Sequence, residues 1–335
     1  MFSKYIFFGC QGNGFYKVAY SDLSELENAD YYDHPFDACV NVCIKFLGKL
    51  VFKPKFNRLF PSFIERLLYR NIINSCTQHI DSVCYVIFPP TLFYLKPEFI
   101  SEIRKIKPDS KVVIYFQDII RSYSDWNAWI PQLRKISDLI ITYDKTDAEE
   151  FGFKYFPTPF SMVEICPDNN IPLSDVYFCG KAKTRFDTII EVYKKLAQKG
   201  LICDFYIYGV NNKDRIVASG LHYDEPLSYY NNLQHIQKTK CLLEIMQEGA
   251  VGFTPRLWES VWADKHLLTN NSVVSKVSFY DSDAIHFIET DLDLIDNWIN
   301  EKISYGNSTK QSLSPKKLLR FIDQFFLSSK NNTIC

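Results

Sequence analysis

The sequence predicts an α/β protein made of two parallel-sheet domains, and three observations carry that expectation. From residue 83 onward, apolar runs too short for helices alternate with segments of helical periodicity, the pattern of parallel strands covered on both faces. The alternation stops over 157–172, where Pro157, Pro159, Pro167 and Pro172 stand among Asp168, Asn169 and Asn170, and then it starts again. The length of 335 residues is enough for two domains. The expected boundaries are a first domain over 1–160, a linker over 161–173 and a second domain over 174–312. A C-terminal helix over 313–329 can pack back on the first domain.

Bulk properties narrow the function. A hydrophobic fraction of 47% with 23% charged residues is that of an ordinary globular protein. The net charge of −1, without a long block of one sign, argues against a nucleic-acid partner. The ten cysteines are scattered without a CxxC or a pairing rhythm, and several lie in apolar runs, which predicts reduced, buried thiols in a cytosolic protein. Cys39 and Cys43 can share a helix face, but no partner follows at metal-ligand spacing, and the six histidines are dispersed, so no metal site is expected. The apolar start, Tyr5-Ile6-Phe7-Phe8, is too short for a signal peptide. The longest apolar run, 83–95, contains Pro89 and Pro90 and is too short to span a bilayer. A cytoplasmic protein is expected, either free or at the inner face of the cell membrane.

Taken in order, 5–8 is a strand that runs into the glycine turn Gly9-Cys10-Gln11-Gly12-Asn13-Gly14. Open α/β sheets place ligands at such strand ends, which makes Gly12 and Asn13 candidates for a ligand-binding cleft. The glycine spacing does not fit a dinucleotide fingerprint, and no helix clearly follows. Over 44–70, Lys45, Lys49, Lys53, Lys55, Arg58, Arg66 and Arg70 alternate with apolar residues against the single acid Glu65. The segment can rest on an anionic membrane or guide a lipid-linked substrate, or it can be a solvated helix face plus a loop.

Strands are expected at 83–88, 112–116, 139–142 and 154–156, and helices at 97–105, 126–136 and 145–151. Asp118 follows the 112–116 strand, where a carboxylate can serve as a general base or cap the next turn. In the second half, strands are expected at 176–178, 203–208, 266–269 and 285–288. Helices are expected at 184–198, from 225 to about 238, at 292–302 and from 314 to about 327. Asp281-Ser282-Asp283 resembles a metal-binding DxD, but its late position favours a turn.

The most informative stretch is 242–271. The apolar run 241–246 leads to a loop with Gly249 and Gly252, and Thr254 and Pro255 then form an N-cap followed by a first-position proline. At 100° per residue Leu257, Trp258, Val261 and Trp262 share one face, and Arg256, Glu259 and Ser260 the other. An arginine beside an anion-competent helix end, with an acid one turn later, suits a nucleoside diphosphate. The same spacing also suits an ion pair on a solvated face. Its place as a late strand–helix unit of a second sheet selects the diphosphate reading.

Several motifs resemble bacterial capsule and lipopolysaccharide biosynthesis glycosyltransferases of the two-domain GT-B fold. Gly252-Phe253-Thr254-Pro255-Arg256-Leu257-Trp258-Glu259 is similar to that group's Gly-Leu-Thr-x-Arg-x-x-Glu, and Lys265-His266-Leu267-Leu268-Thr269-Asn270-Asn271 to its Lys-Lys-Leu-Ile-Thr-Thr-Asn. Tyr115-Phe116-Gln117-Asp118, Tyr143-Asp144-Lys145-Thr146-Asp147-Ala148, 176–180 and Pro226-Leu227-Ser228-Tyr229 match further motifs in the same order, while 15–80 matches none.

The resemblance implies two Rossmann-like domains with a donor/acceptor cleft between them. It implies transfer from a nucleoside diphosphate-sugar, UDP-linked, to a hydroxyl of a glycan or lipid-linked oligosaccharide for capsule, O-antigen or exopolysaccharide. Neither a metal nor a cofactor is implied. Arg256 becomes the phosphate clamp and a catalytic residue, and Glu259 the ribose ligand. Gly252 and Thr254 shape the diphosphate loop, Gly180 and Lys181 face it, and Pro226 and Leu227 lie near the base. Asp118 is the candidate base on the acceptor side. The position eight residues before Glu259 is Val251, so the acid pair of retaining members is incomplete and stereochemistry stays open. The alternatives are a GT-B nucleotide-sugar epimerase and an inactive subunit that binds donor or a partner transferase.

Overall fold

The computed structural model describes residues 2–9, 14–52, 62–78, 80–122, 124–248 and 251–331. The chain divides into two compact units, one formed by 1–161 with 314–335 and the other by 162–313.

The first unit holds a six-stranded sheet: β1 (Lys4–Phe8), β2 (Ala29–Tyr32), β3 (Val83–Ile87), β4 (Lys111–Phe116), β5 (Leu139–Thr142) and β6 (Lys154–Tyr155). All pairs are parallel, and the order is β2-β1-β3-β4-β5-β6. Both faces are covered, which explains why β3 and β5 are buried at every position and almost wholly apolar. On one face Phe8 packs edge-on to Phe99, which in turn meets Tyr69. On the other, Tyr20 stacks on Tyr31 beside Phe88, and Tyr115 donates to the carbonyls of Phe156 and Pro157 at 3.0 and 2.9 Å. The high aromatic content therefore fills the two layers beside this sheet, with the Tyr69 and Tyr115 hydroxyls partnered by backbone carbonyls. The C-terminal helix Lys316–Asn331 belongs to this unit: Ser314 donates to Asp22, Tyr5 to Asp323, and Phe321 meets Phe156.

The second unit holds β7 (Ser174–Lys181), β8 (Cys203–Tyr208), β9 (Leu221–Tyr223), β10 (Thr239–Glu244), β11 (His266–Thr269) and β12 (Ile285–Phe287). These strands are also parallel, in the order β12-β11-β10-β7-β8-β9. In each sheet the chain builds outward on one side of the first strand and then returns to build on the other. The reversal leaves a crevice outside the strand ends, between β1 and β3 in one unit and between β7 and β10 in the other.

The structure departs from the sequence reading where polar or short segments hide regular structure. Strands β2 and β9 were not expected, since Ala-Asp-Tyr-Tyr and Leu-His-Tyr carry too little apolar pattern. A short helix, Phe15–Ala19, does follow the glycine turn; Val42–Val51 and Ser62–Thr77 are helices where 44–70 was read in part as a helix face, and Pro89–Leu95 and Asn307–Ser312 are helices that the sequence reading left unassigned. The expected 292–302 helix is instead two single turns, Ile288–Asp291 and Ile295–Trp298. Between them the backbone tightens, with the Leu294 N–H bonding the Asp291 carbonyl at 3.1 Å, while the Asp291 carboxylate accepts from the Phe287 N–H at 2.6 Å and holds the start of the first turn. Among the described cysteines all are free; Cys43 and Cys166 are exposed and Cys179 partly so, while the others are buried.

His266 and His286 form a buried pair at the β11–β12 edge, 3.1 Å apart nitrogen to nitrogen, with His286 stacked on Trp298. Burial, with His266 alongside, pulls the His286 pKa down to about 4, and burial lowers that of His266 as well. A histidine held neutral by the fold contributes stability above its unfolded pKa of about 6.5, and loses it as pH falls toward the folded value. Urea unfolding is therefore expected to show wild type losing about 1–2 kcal/mol more than a His286→Phe variant between pH 7 and pH 5. Parallel losses in the two proteins would count against this role for the pair.

Candidate functional site

In the second unit the crevice opens between the ends of β7 and β10. Strand ends expose carbonyls that need donors, and here basic side chains supply them. Arg185 donates to the Lys181 carbonyl at 3.0 and 3.1 Å and also to that of Ile245, bridging the two strand ends. Lys183 reaches Gln247 Oε1 at 2.9 Å. Gly180 and Lys181 close β7 on one lip of the crevice.

The other lip is organised by Glu244, the last residue of β10 and buried. One carboxylate oxygen accepts from the Thr254 hydroxyl and the other from that of Thr269. Thr254 in turn caps the helix Pro255–Ala263, its oxygen accepting from the Arg256 N–H at 3.1 Å. One hydroxyl thus donates to an acid and accepts from a helix end, which fixes that end against β10 and β11. Asn271 holds the loop from below by donating to the Gly252 carbonyl at 2.9 Å. Gly252 has φ 141°, a conformation that favours glycine.

Arg256 projects from the first turn of this helix to the end of β7, where Nη2 donates to the Cys179 carbonyl at 3.0 Å. Its Nη1 donates to Glu259, one turn on. Glu259 is fully buried, and its other oxygen accepts from the Tyr229 hydroxyl at 2.6 Å and Asn232 Nδ2 at 3.5 Å. Asn232 is itself fixed by the Tyr177 hydroxyl at 2.9 Å. Burial raises the Glu259 pKa while Arg256 pulls it back. Burial works against the charge on Arg256, but Glu259 together with the neighbouring Cys179, Tyr177 and Tyr229 more than offsets this and holds the guanidinium pKa above its usual value. Arg185 lies on the opposite balance: burial lowers its pKa and the nearby Arg256 lowers it further. Two guanidinium groups held close enough to repel each other form a site with surplus positive charge.

Of the residues picked from sequence, Gly180, Lys181, Gly252, Thr254, Arg256 and Glu259 lie on this edge of one sheet. Pro226 and Leu227 run directly into the Ser228 cap of the helix Tyr229–Lys238, whose first residue reaches Glu259. The solvated-face reading of Arg256 and Glu259 does not hold, because the ion pair exists but is buried. Glu259 has no exposed surface, so its carboxylate orients Arg256 in this arrangement and offers no oxygen directly to a ribose. Sequence reasoning missed Glu244, Arg185, Tyr229 and Asn232. Glu244 had a signal as a lone acid closing the run Leu242-Leu243, and so did Arg185 as the third of the alternating cations Lys181, Lys183 and Arg185.

In the first unit Asp118 is exposed immediately beyond β4. Its loop is tied to the next strand end: Asp147 accepts from the Ile120 N–H at 2.6 Å, and Arg121 meets Asp144 and Asp147 at 2.9 Å each. Gln117 donates to the Tyr20 hydroxyl at 3.2 Å. Gly12 and Asn13 lie outside the described residues. Asp281 accepts from the Asp283 N–H at 3.0 Å, the geometry of a turn. Among the described residues no group of three His, Cys, Asp or Glu side chains is placed to hold a metal.

No protein-family model matches the sequence, and no curated protein is similar to it at a significant level. Solved structures are similar in fold. An α-glucosyltransferase in complex with UDP and a 13-mer DNA containing an HMU base matches with a TM-score of 0.57 and 12% identity, over 88% of this chain and 89% of that one. An α-glucosyltransferase in complex with UDP-glucose and DNA containing an abasic site gives 0.54 and 13%, over 88% and 89%. A putative UDP-N-acetylglucosamine 2-epimerase from Listeria monocytogenes gives 0.50 and 12%, over 97% of both chains. The chain has the fold of two Rossmann-like domains shared by GT-B proteins.

Removing one partner of a buried ion pair leaves an uncompensated charge. Glu259→Leu is expected to cost about 3–5 kcal/mol in urea unfolding, and adding Arg256→Met to it to restore at least half. A double variant no more stable than Glu259→Leu alone would show that the pair is not the unit described here.

Proposed function

We propose that the protein is a glycosyltransferase that moves a sugar from a nucleoside diphosphate donor, UDP-linked, to a hydroxyl of a glycan or lipid-linked oligosaccharide. The observation that carries this reading is the gathering of Lys181, Arg185 and Arg256 with a capped helix N-terminus at the reversal point of the second sheet. Helix ends and guanidinium groups are suited to a diphosphate. The acceptor oxygen attacks the anomeric carbon, and the bond to the diphosphate breaks. The diphosphate leaves with the bonding electrons, and Arg256, Lys181 and the helix end stabilise its growing charge. These cations do the work that a metal would do. Gly252 and Thr254 shape the loop around the phosphates, Gly180 lets them approach β7, and Pro226 and Leu227 flank the base. Glu259 positions Arg256, and Asp118 is assigned the acceptor proton.

The capsule, O-antigen or exopolysaccharide role rests on the motif resemblance described above. Two of the fold relatives are captured with DNA; for this chain a net charge of −1 supports a neutral or lipid-linked acceptor over a polyanion.

Incubation with UDP-, GDP- and dTDP-sugars separates the readings. Slow release of free sugar is expected from a transferase, whereas a 2-epimeric product would identify an epimerase and binding without turnover an inactive subunit. Lys181 is exposed and Lys181→Ala leaves the buried pair intact, so it is expected to weaken UDP binding about tenfold or more at unchanged stability. Arg256→Lys keeps a charge but loses the fork and is expected to weaken UDP binding to a similar degree. UDP bound as tightly by both variants as by wild type would overturn the site. Offering glycan-lipid and hydroxymethylated DNA as alternative acceptors decides the acceptor class.

A further inference from the structure

Two helices of the first unit carry apolar surface that its core does not use. In Val42–Val51 the inward face is Ile44, Gly48 and Val51, and Gly48 lies so close to Phe36 that a Cβ there would meet the ring at 2.3 Å. Lys45 and Lys49 reach sideways to Asp37. The outward positions are apolar: Val42, Leu47 and Phe46, the last 71% exposed, with Val40 just before the helix. In Ser62–Thr77 the inward face is Leu68, Tyr69, Ile72, Ile73 and Cys76. Phe63, 66% exposed, and Leu67 point outward one turn apart, with the exposed Arg66 between them in sequence.

A surface helix ordinarily turns its polar side to water, and single exposed apolar residues need no explanation. Six of the 14 large apolar side chains that are exposed among the described residues fall between 40 and 67, whereas the others are scattered. That concentration needs a cover.

Charge selects the cover. Lys45 and Lys49 share the one carboxylate of Asp37, and Arg70 and Lys105 share that of Glu102, so cations outnumber acids around the apolar face. A second copy of the chain would oppose like charges across such a face. An anionic bilayer would take the rings into the acyl boundary and pair the cations with phosphate.

We propose that the outward faces of Val42–Val51 and Ser62–Thr77 dock on an anionic lipid surface. This deepens the transferase reading by specifying an acceptor presented at a membrane, yet it stands on a different surface from the donor site, so either can fail alone.

The test is sedimentation of the full chain with vesicles of phosphatidylglycerol and phosphatidylcholine, and with vesicles of phosphatidylcholine only. Binding is expected to the anionic vesicles, reversed by high salt, and to be at least several-fold weaker on the neutral ones. A Phe46→Ser, Phe63→Ser double variant with unchanged circular dichroism and unchanged UDP binding is expected to bind anionic vesicles about tenfold more weakly or worse. Should that variant not fold, Arg66→Glu at a single exposed position is expected to weaken binding roughly tenfold. Wild type that stays in the supernatant, or variants that sediment as well as wild type, would overturn the proposal. So would a wild-type dimer that ignores vesicles and dissociates in the double variant. Vesicle binding without any donor hydrolysis would leave the docking surface standing and remove the transferase.

Discussion

A guanidinium and a carboxylate share the buried first turn of the helix Pro255–Ala263, and much of the second unit is arranged around keeping both there. Desolvating two charges costs several kcal/mol each, and mutual attraction offsets this only when the remaining donors and acceptors are met. Tyr229 and Asn232 meet the second oxygen of Glu259, and the Cys179 carbonyl meets the second nitrogen of Arg256. The groups involved come from three elements: β7, the helix Tyr229–Lys238, and the Pro255–Ala263 helix itself. The pair therefore reports whether all three are in register. Its outcome is an arginine aimed at the end of β7 with little freedom to move, which is what a site for a leaving diphosphate requires.

The same logic recurs around Glu244. A buried acid at the end of a central strand is expensive, and here two threonine hydroxyls satisfy it. Because one of those hydroxyls is also the helix cap, Glu244 couples the strand end, the cap and β11 into one rigid lip. Arg185, with its pKa lowered by burial and by Arg256, holds the opposite lip. The crevice thus has positive groups inside and acids only behind them. In the first unit Asp144 and Asp147 are likewise buried behind a cation, Arg121, and brace the loop that presents Asp118.

How much of this was legible from sequence varies with the range of the interaction. Strands β3, β4, β5, β7, β8 and β11 were readable because parallel strands covered on both faces hold short runs dominated by apolar residues. The Thr254-Pro255 start was readable because a cap is a matter of adjacent residues. β2 and β9 were not, since edge strands of three or four residues with polar content owe their pairing to a neighbour far away in the chain. The 292–302 segment had helical spacing but not helical continuity, because the backbone tightens into i→i+3 bonds at Leu294 and Ile295.

Sequence by itself determined the α/β class, the break near 157–172 and the candidate edge 252–259, all of which depend on local pattern: periodicity, proline content and capping. Only the tertiary structure decided whether Arg256 and Glu259 sit in water or in the core, since a helical wheel separates two faces but does not say what covers either. It also decided that Glu244 and Arg185 belong to the same crevice, because strand order, which no local pattern encodes, brings the ends of β7 and β10 together. Burial and strand order follow from contacts between residues tens of positions apart, and there the local code ends.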